Sequence, residues 1–190
     1  MTEAITHLKR DAALANVIDD HGELRLDPAE DTFERLVRSI ISQQVSTASA
    51  RAIRTRVFER FEIAPEPILA ADSDDLKAAG LSRQKAEYVQ NVAHAYVEHG
   101  YSNSFFEPLS DDEVIDELTE IRGVGVWTAK MFLMFSLGRE DVFPVEDLGV
   151  RNGMAELVGE ELSRAEIVDR AEPWRPYRSI ASLYLWRLVD

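Results

Sequence analysis

The segment from Leu118 to Arg151, LTEIRGVGVWTAKMFLMFSLGREDVFPVEDLGVR, constrains this chain more than any other. An amphipathic run ends at Gly123-Val124-Gly125. An apolar helical run follows, carrying Trp127, Met131, Phe132, Met134 and Phe135. Two glycines around one small apolar residue allow a sharp turn and leave bare N–H groups at the start of the second helix. Orphan donors and the positive end of the helix dipole suit an anion there. The pattern predicts helix, glycine hairpin, helix over 118–130, with Gly123, Val124, Gly125 and Thr128 as phosphate-binding candidates. Phe143-Pro144-Val145-Glu146-Asp147 then delivers a carboxylate just ahead of another helical run. Gly-Val-Gly by itself most often makes only a turn; the ordered series after it gives it weight.

The rest of the chain reads as helices. A first helix is expected over Ile5–Ile18, then a turn at Asp27-Pro28. Asp31 or Thr32 caps a helix over Phe33–Ile41, whose Phe33, Leu36, Val37, Ile40 and Ile41 share one face. Thr47–Phe61 follows with four arginines, then a short helix over Ile68–Ala79 stopped by Gly80. Ser82 caps a long helix running through Ala95, with Arg83 and Lys85 in its first turn. Phe105–Ser110 reads as a loop and Glu113–Ile121 as the helix into the hairpin. The last part holds Glu156–Leu162, Ser163–Ala171 and Ile180–Val189. No strand-length alternation stands out, so the fold class is all-α.

At 190 residues the chain is long enough for a real core in a single domain with two lobes. It has no cysteine, which excludes disulfides, thiol nucleophiles and a cysteine-held iron–sulfur cluster. No apolar run reaches membrane-spanning length and no signal-peptide core is present, so a cytoplasmic location is expected. The net charge of -14 opposes a nucleic-acid partner, because DNA binders usually carry basic faces. It also fits a solvation adaptation to high salt: lysine occurs only at Lys9, Lys77, Lys85 and Lys130, and acidic pairs recur along the chain. Salt then screens attraction to phosphate within a few ångströms, so backbone N–H and base contacts would carry more of any DNA binding.

Hairpin, apolar helix and Pro-Val-Glu-Asp-Leu-Gly-Val-Arg, in that order, resemble the helix-hairpin-helix DNA glycosylase superfamily. The 3-methyladenine DNA glycosylase II branch is the most similar. IISQQVS (Ile40–Ser46) and WRPYRS (Trp174–Ser179) extend the resemblance over about residues 30 to 190. It implies two helical lobes with a central cleft, lobe A about 32–145 including the hairpin and lobe B about 1–31 plus 146–190. It implies a monomer that acts on double-stranded DNA with a damaged base and releases alkylated purines. The implied catalytic residue is Asp147, with Glu146 its neighbouring rival. Trp127, Trp186, Tyr177 and Tyr184 are the implied base pocket. Gln44, paired with Gln43, is the implied plug for the gap left by a flipped nucleotide. No cofactor is required, though some family hairpins hold Na+ or K+ on backbone carbonyls, here those of Thr119, Ile121 and Val124.

Simpler roles exist for each residue: Asp147 as a helix cap, the tryptophans as core, Gln43-Gln44 as a polar connection. A capping aspartate is also a fixed carboxylate, so for Asp147 the capping and catalytic roles are compatible. Relatives that cut the strand place a lysine at GVGxK to form a Schiff base; here that position is Trp127, and Lys130 lies one turn on. Monofunctional hydrolysis is therefore expected. The rivals are a non-catalytic hairpin DNA-binding protein, an endonuclease III-like glycosylase/lyase, and an acidic protein-binding helical domain.

Overall fold

The structure is a computed structural model that describes residues 2–189. Its helices are α1 Glu3–Leu8, α2 Ala12–His21, α3 Thr32–Ser42, α4 Thr47–Arg60, α5 Pro65–Ala70, α6 Ser73–Ala78 and α7 Arg83–His99. They continue as α8 Asn103–Phe106, α9 Asp111–Thr119, α10 Val126–Phe135, α11 Leu148–Val158, α12 Arg164–Ala171 and α13 Arg178–Arg187. A 3-10 turn, Glu172–Trp174, precedes α13. The described residues contain no strand, and no helix among them is long and apolar enough to cross a membrane.

Side chains set most helix starts. The Glu34 N–H donates to Asp31 at 2.9 Å and the Lys85 N–H donates to Ser82 at 3.1 Å. Ser110 with Glu113 and Ser163 with Glu166 form reciprocal capping boxes. The same chemistry explains where the boundaries differ from expectation. The Ile5–Ile18 run is two helices, because Asp11 accepts the N–H groups of Ala13 and Leu14 (3.1 and 3.3 Å) and starts α2 there. The Ile68–Ala79 run also splits, since Asp72 accepts the Asp74 N–H at 2.6 Å and starts α6. The supposed loop at 105–110 begins inside a one-turn helix capped by Ser102. The helix expected from Glu156 starts at Leu148, with Asp147 as its cap.

The chain forms two compact units, one of Ala29–Leu137 and one of Met1–Pro28 with Gly138–Asp190. The second boundary lies at Leu137/Gly138 rather than near Val145. Phe143 is buried in the core of the terminal unit and Val145 packs against that core, so the segment ahead of Asp147 belongs there.

In the Ala29–Leu137 unit, α3 packs on α7 and α10. Phe33, Leu36, Val37, Ile40 and Ile41 are buried there, as are Val89, Val92 and Ala93 of α7 and Phe132, Leu133 and Met134 of α10. Each fully buried side chain of this size contributes about 1.5–3 kcal/mol of transfer free energy. In the terminal unit, α11 and α2 both pack on α13. Leu14, Val17, Ile18, Val150, Met154, Trp174, Tyr184 and Leu185 form its interior.

Asp11 ties that interior together. Besides capping α2, its Oδ2 accepts the Trp174 indole N–H at 2.9 Å and pairs with Arg170. The Arg170 guanidinium also lies over the Trp174 ring, 5.4 Å from its centroid. Burial raises the Asp11 pKa, but hydrogen bonds from Arg170, Trp174 and the Leu14 N–H outweigh it and hold the carboxyl below its usual range. A carboxyl depressed in the folded state adds stability above its unfolded pKa, and that contribution is lost as pH falls through the folded value. Asp11→Ala is expected to cost about 2 kcal/mol at neutral pH through lost cap and buried hydrogen bonds. In urea titrations, the gap to wild type should shrink below about pH 4.

Candidate functional site

The hairpin lies in the Ala29–Leu137 unit. After α9 the chain turns, and the Val124 N–H donates to the Ile121 carbonyl at 2.9 Å. Gly123 has φ 109° and lies under Tyr88: a Cβ there would fall 2.2 Å from that ring. Gly125 is the N-cap of α10, with no side-chain cap bond, and a Cβ on it would meet nothing within 4 Å. The start of α10 is therefore open, while the turn before it is closed. This sorts the four phosphate candidates. Gly125 stands at the open helix end, and Gly123 makes the turn. The Val124 N–H is engaged inside the turn, so it is not a donor for an anion. Thr128 is 1% exposed and its hydroxyl is held by Gln43, so what it can offer a phosphate is its backbone N–H in the first turn of α10, not its side chain.

Gln43 also departs from expectation. Its Nε2 donates to the Gly123 carbonyl at 3.0 Å and to the Thr128 hydroxyl at 3.1 Å, so it is a brace for the hairpin rather than an intercalating side chain. Lys85 donates to the carbonyls of Ile41 and Gln43, both at 2.6 Å. It closes the C-terminal end of α3, where a cation complements the dipole. Burial lowers its pKa. Gln44, one residue on, is exposed and left-handed (φ 53°), and Val45 after it is 38% exposed. A non-glycine residue held at positive φ at the tip of a braced segment is the kind of local strain that collects at functional sites. Trp127 is half-buried in the first turn of α10.

The carboxylate lies in the terminal unit. Asp147 Oδ1 accepts the Val150 N–H at 3.0 Å, which caps α11, and the Trp186 indole N–H at 2.8 Å. The Asp147 N–H donates to the Pro144 carbonyl at 2.9 Å. Arg151 reaches back one turn and donates from Nη1 to the carbonyls of Val145 (3.1 Å) and Glu146 (2.6 Å), clamping the approach to Asp147. WRPYRS secures the loop before it. Arg178 Nε donates to Asp141 Oδ1 at 2.8 Å, and the Ser179 hydroxyl accepts the Val142 N–H at 2.8 Å. The Ser179 N–H donates to the Glu140 carbonyl at 2.9 Å.

Trp186 is half-buried, with its ring beside the carboxylate it holds. The two tyrosines differ from expectation. Tyr184 is fully buried; its hydroxyl donates to the Gly22 carbonyl and accepts the Leu24 N–H, both at 2.9 Å, so it belongs to the core. Tyr177 packs edge-on against His7 at 5.6 Å and lines a hollow with Glu3, Leu26 and Glu140, so its surroundings are those of α1. Sequence reasoning missed Arg151, Gly149 and the exposed Leu148 (62%), all within four residues of Asp147. The spacing in Asp-Leu-Gly-Val-Arg was the available signal for the first two.

Among the described residues no group of three or more histidines, aspartates or glutamates could hold a metal ion. The Thr119 carbonyl ends α9 and that of Ile121 lies two residues on, at the negative dipole end of the helix, although Ile121 already accepts the Val124 N–H. The arrangement as a whole offers a rigid carboxylate beside an aromatic face, and an open helix N-terminus beside an exposed, braced glutamine. The first can stabilise a positive charge and the second can receive a phosphate.

A family model described as HhH-GPD superfamily base excision DNA repair protein matches residues 37–176. DNA-3-methyladenine glycosylase 1 of Schizosaccharomyces pombe is 31% identical over 185 residues, covering 92% of this chain and 79% of that protein. DNA-3-methyladenine glycosylase of Saccharomyces cerevisiae is 33% identical over 200 residues, covering 85% of this chain and 68% of that one. The solved structure of the S. pombe 3-methyladenine DNA glycosylase in complex with abasic DNA matches with a TM-score of 0.91 at 31% identity, over 98% of this chain and 96% of that one. A DNA-3-methyladenine glycosidase from Bacillus halodurans matches with a TM-score of 0.83 at 36% identity, over 98% and 88%. The family match spans the hairpin, Asp147 and the first residues of WRPYRS, and the chain belongs to the HhH-GPD superfamily of base excision DNA repair proteins, the helix-hairpin-helix DNA glycosylases.

Proposed function

We propose that this protein is a monofunctional DNA glycosylase that releases alkylated purines of the 3-methyladenine type from double-stranded DNA and leaves the abasic site intact. The observation that carries this reading is the Asp147 carboxylate, held on one oxygen by the Val150 and Trp186 N–H groups. Cleavage of an N-glycosidic bond builds positive charge on the sugar. A fixed carboxylate near C1′ stabilises that charge and orients the attacking water without first having to reorganise. A ring-methylated purine is often cationic and so already an activated leaving group. The electron-rich ring of Trp186 attracts such a base by stacking and cation–π contact.

The hairpin supplies binding. The uncapped start of α10 at Gly125 takes a backbone phosphate through N–H donors and the helix dipole. That contact does not depend on a basic face, and it suits a chain of net charge -14 working at high salt. A Na+ or K+ on the carbonyls of Thr119, Ile121 and Val124 would steady the turn without entering the reaction. Gln44 fills the space vacated by the flipped nucleotide and offers hydrogen bonds to the orphaned base, while Gln43 holds the hairpin side of that loop. Trp127 stands where strand-cutting relatives carry their amine, so no Schiff base forms and hydrolysis ends the reaction. The protein acts as a monomer in this reading.

Wild type is expected to release methylated purines from methylated duplex DNA in high-salt buffer, with strand breaks appearing only after alkali. Asp147→Asn should slow release by about 10²–10³-fold with DNA binding retained. Strand breaks before alkali would overturn the monofunctional reading; binding without release on any lesion would favour a non-catalytic hairpin protein. The two glutamines should separate by assay. Gln44→Ala should leave the unfolding midpoint within about 0.5 kcal/mol of wild type but slow release from duplex relative to single-stranded substrate. Gln43→Ala should destabilise the fold by about 1–2 kcal/mol in urea titration, through two lost hydrogen bonds.

A further inference from the structure

Gly149 is out of place by helix propensity. It lies in the first turn of α11, where its backbone is ordinary and its φ is not in the left-handed region. A glycine inside a helix costs about 1 kcal/mol relative to alanine. The space beside it gives the reason. A Cβ at this position would fall 2.7 Å from Trp186 Cδ1, 3.0 Å from Trp186 Nε1 and 3.1 Å from Asp147 Oδ1. These are the atoms of the Trp186–Asp147 hydrogen bond and the carbon next to the donor. A side chain at 149 must displace the indole edge or the carboxylate oxygen, the two groups that the 2.8 Å bond joins.

We propose that Gly149 is a positioning residue for the reaction: its missing side chain lets the Trp186 indole N–H seat against Asp147 Oδ1 and fix the carboxylate. Trp186 then has two functions, one through its ring face and one through its N–H. The Val150 N–H fixes the same oxygen from the helix side, so two donors meet on Asp147 Oδ1. This rests on the reading of Asp147 as the catalytic carboxylate; the geometry around Gly149 stands apart from it.

The test compares wild type, Gly149→Ala, Trp186→Phe and the double variant in single-turnover release of methylated purines, with binding to abasic-analogue duplex measured in parallel. Gly149→Ala should fold at least as stably as wild type or nearly so, since the backbone favours alanine. It should bind DNA normally and release base about ten- to a hundredfold more slowly, the effect of losing one hydrogen bond to a charged group. Trp186→Phe keeps a ring face and loses the donor. If Gly149 acts through that donor, the double variant is no slower than Trp186→Phe alone. Release by Gly149→Ala at the wild-type rate, or a double variant slowed by the product of the single effects, would overturn the proposal.

A second readout is independent of activity. The chain has three tryptophans, so ¹⁵N spectra show three indole N–H signals, and Trp186→Phe assigns one of them. That signal should move and exchange faster in Gly149→Ala, while the Trp174 signal, bonded to Asp11, stays in place. An unmoved Trp186 signal overturns the proposal even if wild type proves inactive. A moved signal with an inactive wild type upholds the Gly149 geometry and rejects the glycosylase reading instead.

Discussion

Every helix leaves backbone donors unmatched at its start, and a chain built from short helices meets that constraint many times over. Here the answer is usually a serine or aspartate: Asp11, Asp31, Ser46, Asp72, Ser82, Ser102, Ser110, Asp147 and Ser163 each accept N–H groups from the turn they open. The candidate site residues belong to this same system. At α10 the cap is Gly125, which offers no acceptor and leaves the helix end open for an anion. At α11 the cap is Asp147, whose Oδ1 also takes the Trp186 N–H. One physical requirement therefore produces the element boundaries, an uncapped helix end and an oriented carboxylate.

Orientation of that carboxylate is distributed over the segment before it. The loop buries Val142, Phe143 and Pro144, and it is also held by groups arriving from both sides. Arg178 and Ser179 fix residues 139–142, and Arg151 fixes the carbonyls of Val145 and Glu146. Phe143 adds burial. The recognisable motif at Trp174–Ser179 is, in physical terms, an anchor for the Asp147 loop as well as the start of the helix that carries Trp186. In the other unit, Gln43 and Lys85 do the equivalent for Gln44, which stands exposed on a braced backbone.

The acidity of the chain looks contrary to a DNA enzyme only if attraction to phosphate must come from a basic face. A helix N-terminus binds an anion through fixed dipoles, which need no net charge. Excess surface carboxylate then lowers non-specific attraction and leaves the short-range contacts to discriminate.

The helical class, several caps including Asp147, the core face of α3 and the hairpin were legible in the sequence, because each depends on residues near one another along the chain. Caps need a polar side chain two or three residues ahead of its N–H, and hairpins need glycine where φ turns positive. What lay beyond sequence were the choices made by distant partners. Nothing local distinguishes Gln43 from Gln44; Gly123 and Thr128, about eighty residues on, make the first a brace and leave the second exposed. Nothing local removes Tyr184 from a pocket list; the backbone of Gly22 and Leu24 does. Gly149 reads as a weak helix residue until the edge of Trp186 is seen filling the space its side chain would occupy. Sequence determined what each element could be, since backbone and capping energies are local. Tertiary structure decided which way each side chain faced, since burial and long-range hydrogen bonds are not.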